Sequence, residues 1–376
     1  AQKVDSIDEI KNYAEDSTTA SIDVSADITW NKIIKINKDF EIFSSDHAVF
    51  DSGAGFGQTA IKIFDHKLSL RNLTFNGFTN TALFGSDKST LEIENVTFTK
   101  NRVTGSAGAI QALGDISIKN SHFESNSNQF PWGGTISFSE NPNARQTIEN
   151  STFIKNSNDI GGAIAAISGT MEIKGGTFSE NTASMAGGAI YVNSAAAVKE
   201  ISNVSFINNS AKEYGGGAIY SESNLNISAD AGESLFSGNY IEANGVQISN
   251  AVFMDSADLK LSATNNGTIT FDDGIMGSGY NIHIMGDGRG VVRFNNVVEN
   301  VTNFNVSDSS IVHLGLKADI QAQNMLASSN SQNSPILKVD VEVDKAGNKV
   351  NSGAIHVSND ITGDYRVLIN ALNLDV

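Results

Sequence analysis

Two acidic groups are the strongest candidates for chemistry in this chain: Asp272-Asp273, which precede Gly274, and Asp287, which lies near Arg289. A pair of carboxylates across a groove can hydrolyse a glycosidic bond, and an acidic calcium site beside a basic residue can support a lyase. Both groups also contain the Asp-Gly pair that is typical of turns, and we consider a turn the better interpretation of each group. We therefore predict no catalytic residues and a chain that is not an enzyme.

The other residue types predict neither a metal nor a cofactor. The chain has no cysteine, which excludes a thiolate nucleophile, a disulfide and cysteine-ligated metal. No H-E-x-x-H, EF-hand, P-loop or G-x-S-x-G pattern occurs. The six histidines lie far apart, with none paired at a helical metal-binding spacing: His47, His66, His122, His283, His313 and His356.

The composition favours short strands and argues against two classes of partner. With 42 acidic and 25 basic residues, the net charge is -17, whereas nucleic acid and anionic membranes attract clustered Lys and Arg. No apolar run approaches the roughly 18 residues that span a bilayer, so we predict no membrane insertion by this segment. The 34 Gly, with abundant Ser, Thr and Asn, are typical of strands joined by polar turns.

Two tetrapeptides recur along the middle of the chain. The first is F-x-x-N, whose Phe residues follow one another at intervals of 25, 30, 25, 28 and 30 residues. It occurs as Phe98-Asn101, Phe123-Asn126, Phe153-Asn156, Phe178-Asn181, Phe206-Asn209 and Phe236-Asn239. The second is close to Gly-Gly-Ala-Ile and occurs at 107–110, 133–136, 161–164, 187–190 and 216–219. Repeats with this period indicate a solenoid.

Each period also contains short runs that alternate between apolar and polar residues, such as 91–95 (LEIEN) and 171–175 (MEIKG). Alternation with period 2 predicts half-buried strands, about three in each period. Stacking of equivalent strands predicts an all-β fold, a right-handed parallel β-helix of the pectin-lyase-like type. About a dozen coils that each rise about 4.8 Å would form a rod on the order of 60 Å long.

Architecture alone can explain the repeated residues. Phe at one position of each coil predicts a buried ladder of rings. Asn three residues later predicts a turn whose side chain bonds to the backbone or to the Asn of the next coil. The glycine pair predicts a positive φ or a close approach of coils, after which Ala-Ile returns to the core. Binding by these residues is a separate hypothesis, which the spacing does not decide.

The two ends of the chain differ from the repeats. Residues 1–30 are predicted to form an N-terminal cap with a helix over 6–16, where Ser6 and Glu9 make a capping box. The β-helix is predicted over 31–326, with its repeats clearest at 72–240. Residues 327–376 are predicted to form a distal segment that contains a hairpin around 346–348 and the last coils.

The alternating F-x-x-N and Gly-Gly-Ala-[ILV] elements resemble those of the polymorphic outer membrane protein family, among the autotransporter passengers of Gram-negative bacteria. Segments 266–296 and 361–369 resemble the distal passenger region of autotransporters. The resemblance implies export to the bacterial surface through a C-terminal translocator that is not part of this chain, and adhesion to host cells through the two tetrapeptides. Chlamydial members are generally rich in cysteine, so the absence of cysteine favours a relative from another bacterium.

The resemblance implies a secreted adhesin that binds a host cell-surface protein or glycan, with self-association as a further expectation. The runner-up is a β-helix that binds or cleaves polysaccharide. Trp132 is a candidate for an exposed residue that contacts a partner. The alternative interpretation is that its ring covers a turn of the coil. The adhesion motif candidates are Phe98, Asn101, Phe123, Asn126, Phe153, Asn156, Gly161, Gly162, Phe178, Asn181, Gly187, Gly188, Phe206, Asn209, Gly216 and Gly217.

Overall fold

The computed structural model describes residues 1–104, 108–128, 133–138, 141–327, 333–343 and 350–372. It contains one helix among these residues, and the rest of the regular structure is strand. The first part of the chain consists of β1 (Gln2–Val4), α1 (Ile7–Glu15), β2 (Ser21–Val24), β3 (Ile28–Trp30), β4 (Ile34–Ile36), β5 (Phe40–Phe43), β6 (Val49–Ser52), β7 (Ile61–Ile63), β8 (Lys67–Arg71), β9 (Thr74–Asn76) and β10 (Leu83–Gly85).

The region of the tetrapeptide repeats carries strands of two to eleven residues. They are β11 (Thr90–Glu94), β12 (Thr97–Thr99), β13 (Arg102–Val103), β14 (Ile110–Ala112), β15 (Asp115–Lys119), β16 (His122–Glu124), β17 (Ser127–Asn128), β18 (Ile136–Phe138), β19 (Arg145–Ile154), β20 (Ser157–Ile160), β21 (Ile164–Ala166), β22 (Gly169–Ser179), β23 (Thr182–Ala186), β24 (Ile190–Val192), β25 (Ala196–Ser202), β26 (Ser205–Ile207), β27 (Ser210–Ala211), β28 (Ile219–Ser221), β29 (Leu225–Asp230), β30 (Glu233–Ser237), β31 (Tyr240–Ala243) and β32 (Val246–Ser249).

The same strand pattern continues beyond the repeats. We predicted this continuation although the two tetrapeptides fade there. These strands are β33 (Val252–Asp255), β34 (Leu259–Thr264), β35 (Thr268–Phe271), β36 (Ile275–Ser278), β37 (Tyr280–Gly286), β38 (Val291–Phe294), β39 (Val297–Val306), β40 (Ile311–Leu314), β41 (Asp319–Ala327), β42 (Ile336–Val343), β43 (Val350–Ser352), β44 (Ala354–Val357), β45 (Ile361–Thr362) and β46 (Arg366–Ala371).

Apart from β32 and β43, the strands pair in parallel with the equivalent strands of adjacent coils, so the chain winds into a parallel β-helix with three long faces. Face A follows the glycine motif and includes β21, β24 and β28. Face B includes β15, β25 and β29, and face C includes β16, β26 and β30. Long strands such as β19 run around the corner and pair on both face B and face C.

A fourth, short face differs from the prediction of about three strands in each period. Its sheet has seven strands, β13, β17, β20, β23, β27, β31 and β32, and we call it face D. Several of these strands have only two residues, and their sequences are polar or small, so they lack the alternation that would have revealed them. The antiparallel hairpin of β31 and β32 ends face D.

A column of Phe side chains fills the rod behind face C. Phe75, Phe98, Phe123, Phe153, Phe178, Phe206, Phe236, Phe271 and Phe294 stack ring on ring, with centroids 4.6–5.7 Å apart and planes within 13°. All are fully buried. The predicted ring ladder is confirmed. It extends past the F-x-x-N repeats, because Phe271 and Phe294 keep the same register although neither has an Asn three residues later.

The corner between faces B and C explains the Asn of the N-x-Thr/Ser-Phe runs. Asn95, Asn150 and Asn203 have φ of 52°, 47° and 53°, in the left-handed region that Asn tolerates better than most residues. In the coil between Asn150 and Asn203 the same position is held by Gly175, with φ of 66°. The chain therefore turns this corner with residues suited to a left-handed conformation.

The N-terminal helix covers the first coil, as its capping box and apolar face predict. Ser6 is the N-cap of α1, and its Oγ accepts a hydrogen bond from the Glu9 N–H at 3.4 Å. Ile10 on the inner face of α1 is fully buried. At the other end of α1, the Lys38 ammonium donates to the Tyr13 carbonyl at 2.8 Å and so neutralises the carbonyl end of the helix.

The distal part contains the predicted hairpin pairing, since β42 and β43 are antiparallel neighbours. The predicted centre of that hairpin, 346–348, lies outside the described residues. Beyond it, β46 pairs in parallel with β42 and forms the last strand of face C. Several of its apolar side chains are exposed, among them Val367, Leu368 and Ile369.

Replacement of a ring in the Phe column should destabilise the rod. Phe178 lies 4.6 Å from the Phe153 ring and 5.0 Å from the Phe206 ring, so Phe178→Ala leaves a cavity inside the stack. We expect the free energy of unfolding to fall by about 3–5 kcal/mol, measured by urea denaturation. The control is Phe64→Ala, at a ring that is 39 % exposed, where we expect a loss of about 0.5 kcal/mol. Equal losses for the two variants would contradict the packing role of Phe178.

Candidate functional site

The F-x-x-N and glycine motifs lie inside the wall of the rod. Every Phe and Asn among the adhesion motif candidates is at most 1 % exposed. The six glycine candidates, Gly161, Gly162, Gly187, Gly188, Gly216 and Gly217, are also buried. In the folded rod these side chains therefore have no surface with which to contact a partner.

The Asn side chains form a continuous amide ladder through Asn101, Asn126, Asn156, Asn181, Asn209 and Asn239. Each Nδ2 donates to the Oδ1 of the next Asn at 2.8–3.0 Å. Each backbone N–H donates to that same Oδ1 at 3.0–3.1 Å. The second Nδ2 hydrogen goes to the carbonyl of the Phe one coil earlier. Each amide thus satisfies its two donors and its acceptor, which makes its burial tolerable.

The glycine pair performs both of the roles that its type predicts. Gly187 has a φ of 63°, in the left-handed region that glycine enters without steric cost. Gly188 lies so close to the next coil that a Cβ there would be 2.0 Å from the Gly217 carbonyl oxygen. The chain therefore turns sharply from face D to face A at this point, and we call this turn the glycine corner.

The acidic candidates for catalysis have structural partners. Asp273 ends the amide ladder, since its Oδ2 accepts hydrogen bonds from both the N–H and the Nδ2 of Asn239 at 2.8 Å. Asp272 accepts from the Asn295 Nδ2 at 2.7 Å. Asp287 accepts from the N–H of Arg289 at 3.0 Å, as expected of a turn aspartate. These contacts support the interpretation of both groups as turn residues.

A second apolar cluster lies outside the main core, where face D meets face A across the glycine corner. Its buried members are Ile160, Ala165, Ala186, Tyr191 and Tyr220. The aromatic members point outwards because they follow inward residues of the motif: Tyr191 follows Ile190, and Tyr220 follows Ile219. A cluster on the outer side of the wall offers surface that the motif residues do not.

This outer cluster borders a cavity of about 180 Å³. We call it the tyrosine pocket, and it is lined by Ile160, Met185, Ala186, Tyr191, Tyr214, Tyr220 and Glu222. Tyr191 and Tyr220 stack with ring centroids 5.6 Å apart, and Phe253 continues the stack at 5.4 Å from Tyr220. Tyr214 is 55 % exposed and forms the outer wall. The stack ends at Tyr191, because the residue paired with it in the preceding coil is Ala165.

Two carboxylates hold the tyrosine hydroxyls. The Tyr191 hydroxyl donates to the Glu222 Oε1 at 2.6 Å, and the Tyr220 hydroxyl donates to the Asp255 Oδ2 at 2.9 Å. Burial and the hydrogen bond to Glu222 raise the pKa of Tyr191 to about 12, and burial likewise raises the pKa of Tyr220. Both phenols therefore remain neutral hydrogen-bond donors at physiological pH.

Sequence reasoning did not identify the tyrosine pocket, although one signal for it was present. A Tyr follows the Gly-Gly-Ala-Ile element in two successive repeats, at Tyr191 and Tyr220, and the parallel register places the two on the same outer position. Tyr214 and Glu222 belong to longer, non-repeating parts of one coil and gave no such signal. Trp132, the predicted exposed contact, lies outside the described residues.

A family model described as a right-handed β-helix region matches residues 60–231. The predicted fold is confirmed: the chain is a right-handed parallel β-helix. No curated protein matches the chain, and no solved structure does. Among the described residues, no helix has the length and apolar character to cross a bilayer. The described part also contains no cluster of three or more His, Asp or Glu side chains arranged to hold a metal ion.

Asp273 should give the stability of the rod a specific dependence on pH. Burial raises the pKa of its carboxyl above the usual value of 3.8, so the folded state binds a proton more readily than the unfolded chain. The stabilisation linked to this group is then complete below pH 3.8 and is lost as the pH rises through the raised pKa. We expect the difference in unfolding free energy between the native protein and Asp273→Asn to decrease with pH over that interval, measured by urea denaturation at successive pH values.

The same variant tests the hydrogen bonds at the end of the ladder. Asp273 Oδ1 accepts from the Gly238 N–H at 3.0 Å, and an amide nitrogen there, like the hydroxyl of a protonated carboxyl, would leave that donor unsatisfied. At acidic pH, where both proteins carry a neutral group, we expect Asp273→Asn to change the free energy of unfolding by less than about 1 kcal/mol. A difference between the two proteins that grows with pH would contradict the raised pKa and indicate a carboxylate stabilised by the donors of Gly238, Asn239 and Ser249.

Proposed function

We propose that this chain is an adhesion rod, the exported passenger segment of an autotransporter-like protein related to the polymorphic outer membrane proteins. Its location would be the bacterial cell surface, and its partner a host cell-surface protein or glycan. The observation that carries the proposal is the tyrosine pocket, which places a concave, partly aromatic site on the outside of a rod. Concave sites with aromatic walls and a few polar groups are the usual form of a binding site.

The burial of the tetrapeptides changes how adhesion would work in this proposal. Phe178 and Asn181 are fully buried, so the repeated motifs would act by keeping the rod rigid. Side chains on the outer face would then contact the partner, above all Tyr214, which is 55 % exposed. Residues that project from a rigid scaffold are well placed for recognition, because they lose little conformational freedom on binding.

We propose binding without catalysis. The acidic candidates for a catalytic pair, Asp272, Asp273 and Asp287, each accept hydrogen bonds from neighbouring coils or turns. At and beside the tyrosine pocket, Glu222 and Asp255 each accept a hydrogen bond from a tyrosine whose pKa is raised. These phenols resist ionisation, so they suit recognition better than proton transfer near neutral pH.

Polysaccharide binding is the second candidate function, and one observation favours it. Stacked aromatic rings beside carboxylate and amide groups, as found for Tyr191, Glu222 and Asn193, can contact both the apolar and the hydroxyl-bearing parts of a sugar. A soluble polysaccharide that competes for cell binding would favour this function. Release of reducing or unsaturated sugar ends would favour polysaccharide cleavage.

The test of the proposal is binding of the labelled, folded protein to cultured epithelial cells. We expect saturable binding that a heat-unfolded sample lacks, because the outer face exists only in the folded rod. Tyr214→Ala should reduce the binding, since it removes the most exposed aromatic side chain of the pocket. Phe64→Ala, which removes another partly exposed ring far from the pocket, should leave the binding unchanged.

Two results would contradict the proposal. The first is an absence of saturable binding by the folded protein to cells and to immobilised matrix proteins. The second is equal binding by the folded and unfolded samples, because an adhesion site built by the rod cannot survive its unfolding.

A further inference from the structure

The carboxylates beside the tyrosine pocket, those of Glu222 and Asp255, have no basic partner among the described residues, unlike the carboxylate of Glu172. Glu172, for comparison, is paired with Lys174 at 2.7 Å and with Lys199 at 2.8 Å. Within the part of the chain that the structure describes, no Lys, Arg or His nitrogen lies within 4.0 Å of the carboxylates of Glu222 or Asp255. Two negative charges thus lie uncompensated at a half-enclosed aromatic site.

The hydrogen bonds to Glu222 orient its carboxylate without neutralising it. Oε1 accepts from the Tyr191 hydroxyl at 2.6 Å, and Oε2 accepts from the Asn193 Nδ2 at 3.3 Å. Both donors are neutral, so they orient the carboxylate without pairing it with a positive charge. A fixed anion beside aromatic rings attracts a cation twice, through its own charge and through the negative faces of the rings.

The size of the cavity limits its occupant. Pockets that enclose a drug-sized ligand measure roughly 300–1,000 Å³. The tyrosine pocket, at about 180 Å³, is smaller and suits a single side chain better than several linked sugar rings. Ile160 and Met185 give it apolar walls that fit an aliphatic stem, while Glu222 gives it a charged side.

We propose that the tyrosine pocket binds one lysine or arginine side chain presented by a partner protein. The aliphatic stem would lie against Ile160 and Met185, and the cationic group would lie between the tyrosine rings and Glu222. The net charge of -17 would also steer a basic partner surface towards the rod. This proposal rests on the proposed adhesion function and specifies the chemistry of its partner. Binding of a cationic side chain can nevertheless be measured separately from adhesion.

The experiment uses an acetylated and amidated pentapeptide, Gly-Ser-Lys-Ser-Gly, titrated against the whole chain and followed by ligand-observed NMR. The native protein should bind the peptide saturably, and added salt should weaken the binding. Acetylation of the lysine Nζ should weaken it about tenfold or more, because the charge is lost. Maltotetraose serves as the sugar probe and should neither bind at the same concentrations nor compete.

Two variants test the pocket itself. Tyr214→Ala removes an exposed ring, and Glu222→Gln replaces the carboxylate with an amide that can still accept from the Tyr191 hydroxyl. Each should weaken peptide binding about five- to tenfold, with an unchanged unfolding midpoint. Glu94→Gln is the matched control, because it removes the same charge from an exposed site on face B and should leave the affinity unchanged.

The inference is overturned if both pocket variants bind the peptide like the native protein, or if Glu94→Gln weakens binding as much as Glu222→Gln. Binding of maltotetraose that depends on Tyr214, without binding of the lysine peptide, would overturn it in favour of a sugar site. Cell binding that persists in both pocket variants would overturn the inference but keep the adhesion proposal. Peptide binding without cell binding would keep the lysine pocket and contradict adhesion.

Discussion

The structure depends on in-register parallel pairing, which places each residue directly over its equivalent in the next coil. Because the coils are separated by about 4.8 Å, every wall position becomes a column, and each column must suit a residue stacked on its own kind. Phe rings meet this requirement by parallel stacking, with centroids 4.6–5.7 Å apart between Phe75 and Phe294. Asn meets it because an amide is both donor and acceptor and can therefore bond to a copy of itself. The repeats in the sequence are the direct result of this constraint.

The same constraint separates structural from recognition residues. Inward and corner positions contact their own copies and leave little freedom for variation, as in the Phe and Asn columns. Outward positions carry no such demand, and along one column of face A they change from Ala165 to Tyr191, Tyr220 and Phe253. The tyrosine pocket arises where this outward column passes the glycine corner. Its character therefore depends on a few residues that lie outside the repeated Phe and Asn columns.

The repeated columns could be predicted from the sequence because the same residue type recurs at the same position of several coils. Phe98 and Phe123 occupy equivalent places in successive coils, so their spacing revealed both the burial of the ring and the register of the strands. Face D was not predicted because its strands are short and polar and therefore lack an alternating pattern. The end of the amide ladder escaped prediction because Asp273 occurs once and lies in an Asp-Gly turn, where its contact with Asn239 depends on the coil arrangement. The pocket combines Met185, Tyr214 and Glu222, which only the winding of the chain brings together.

The amide ladder has a direction, and this direction governs how such a rod can change its length. Between Asn101 and Asn239 every amide accepts from the coil before it and donates to the coil after it. A whole coil can therefore be gained or lost within this interval, and the amides on either side of the change still find partners. The two ends are not interchangeable in this way, because the ladder starts at the N–H of Phe78 and finishes at the acceptor-only carboxylate of Asp273. Duplication or loss of whole internal coils thus changes the length of the rod and leaves the ladder continuous.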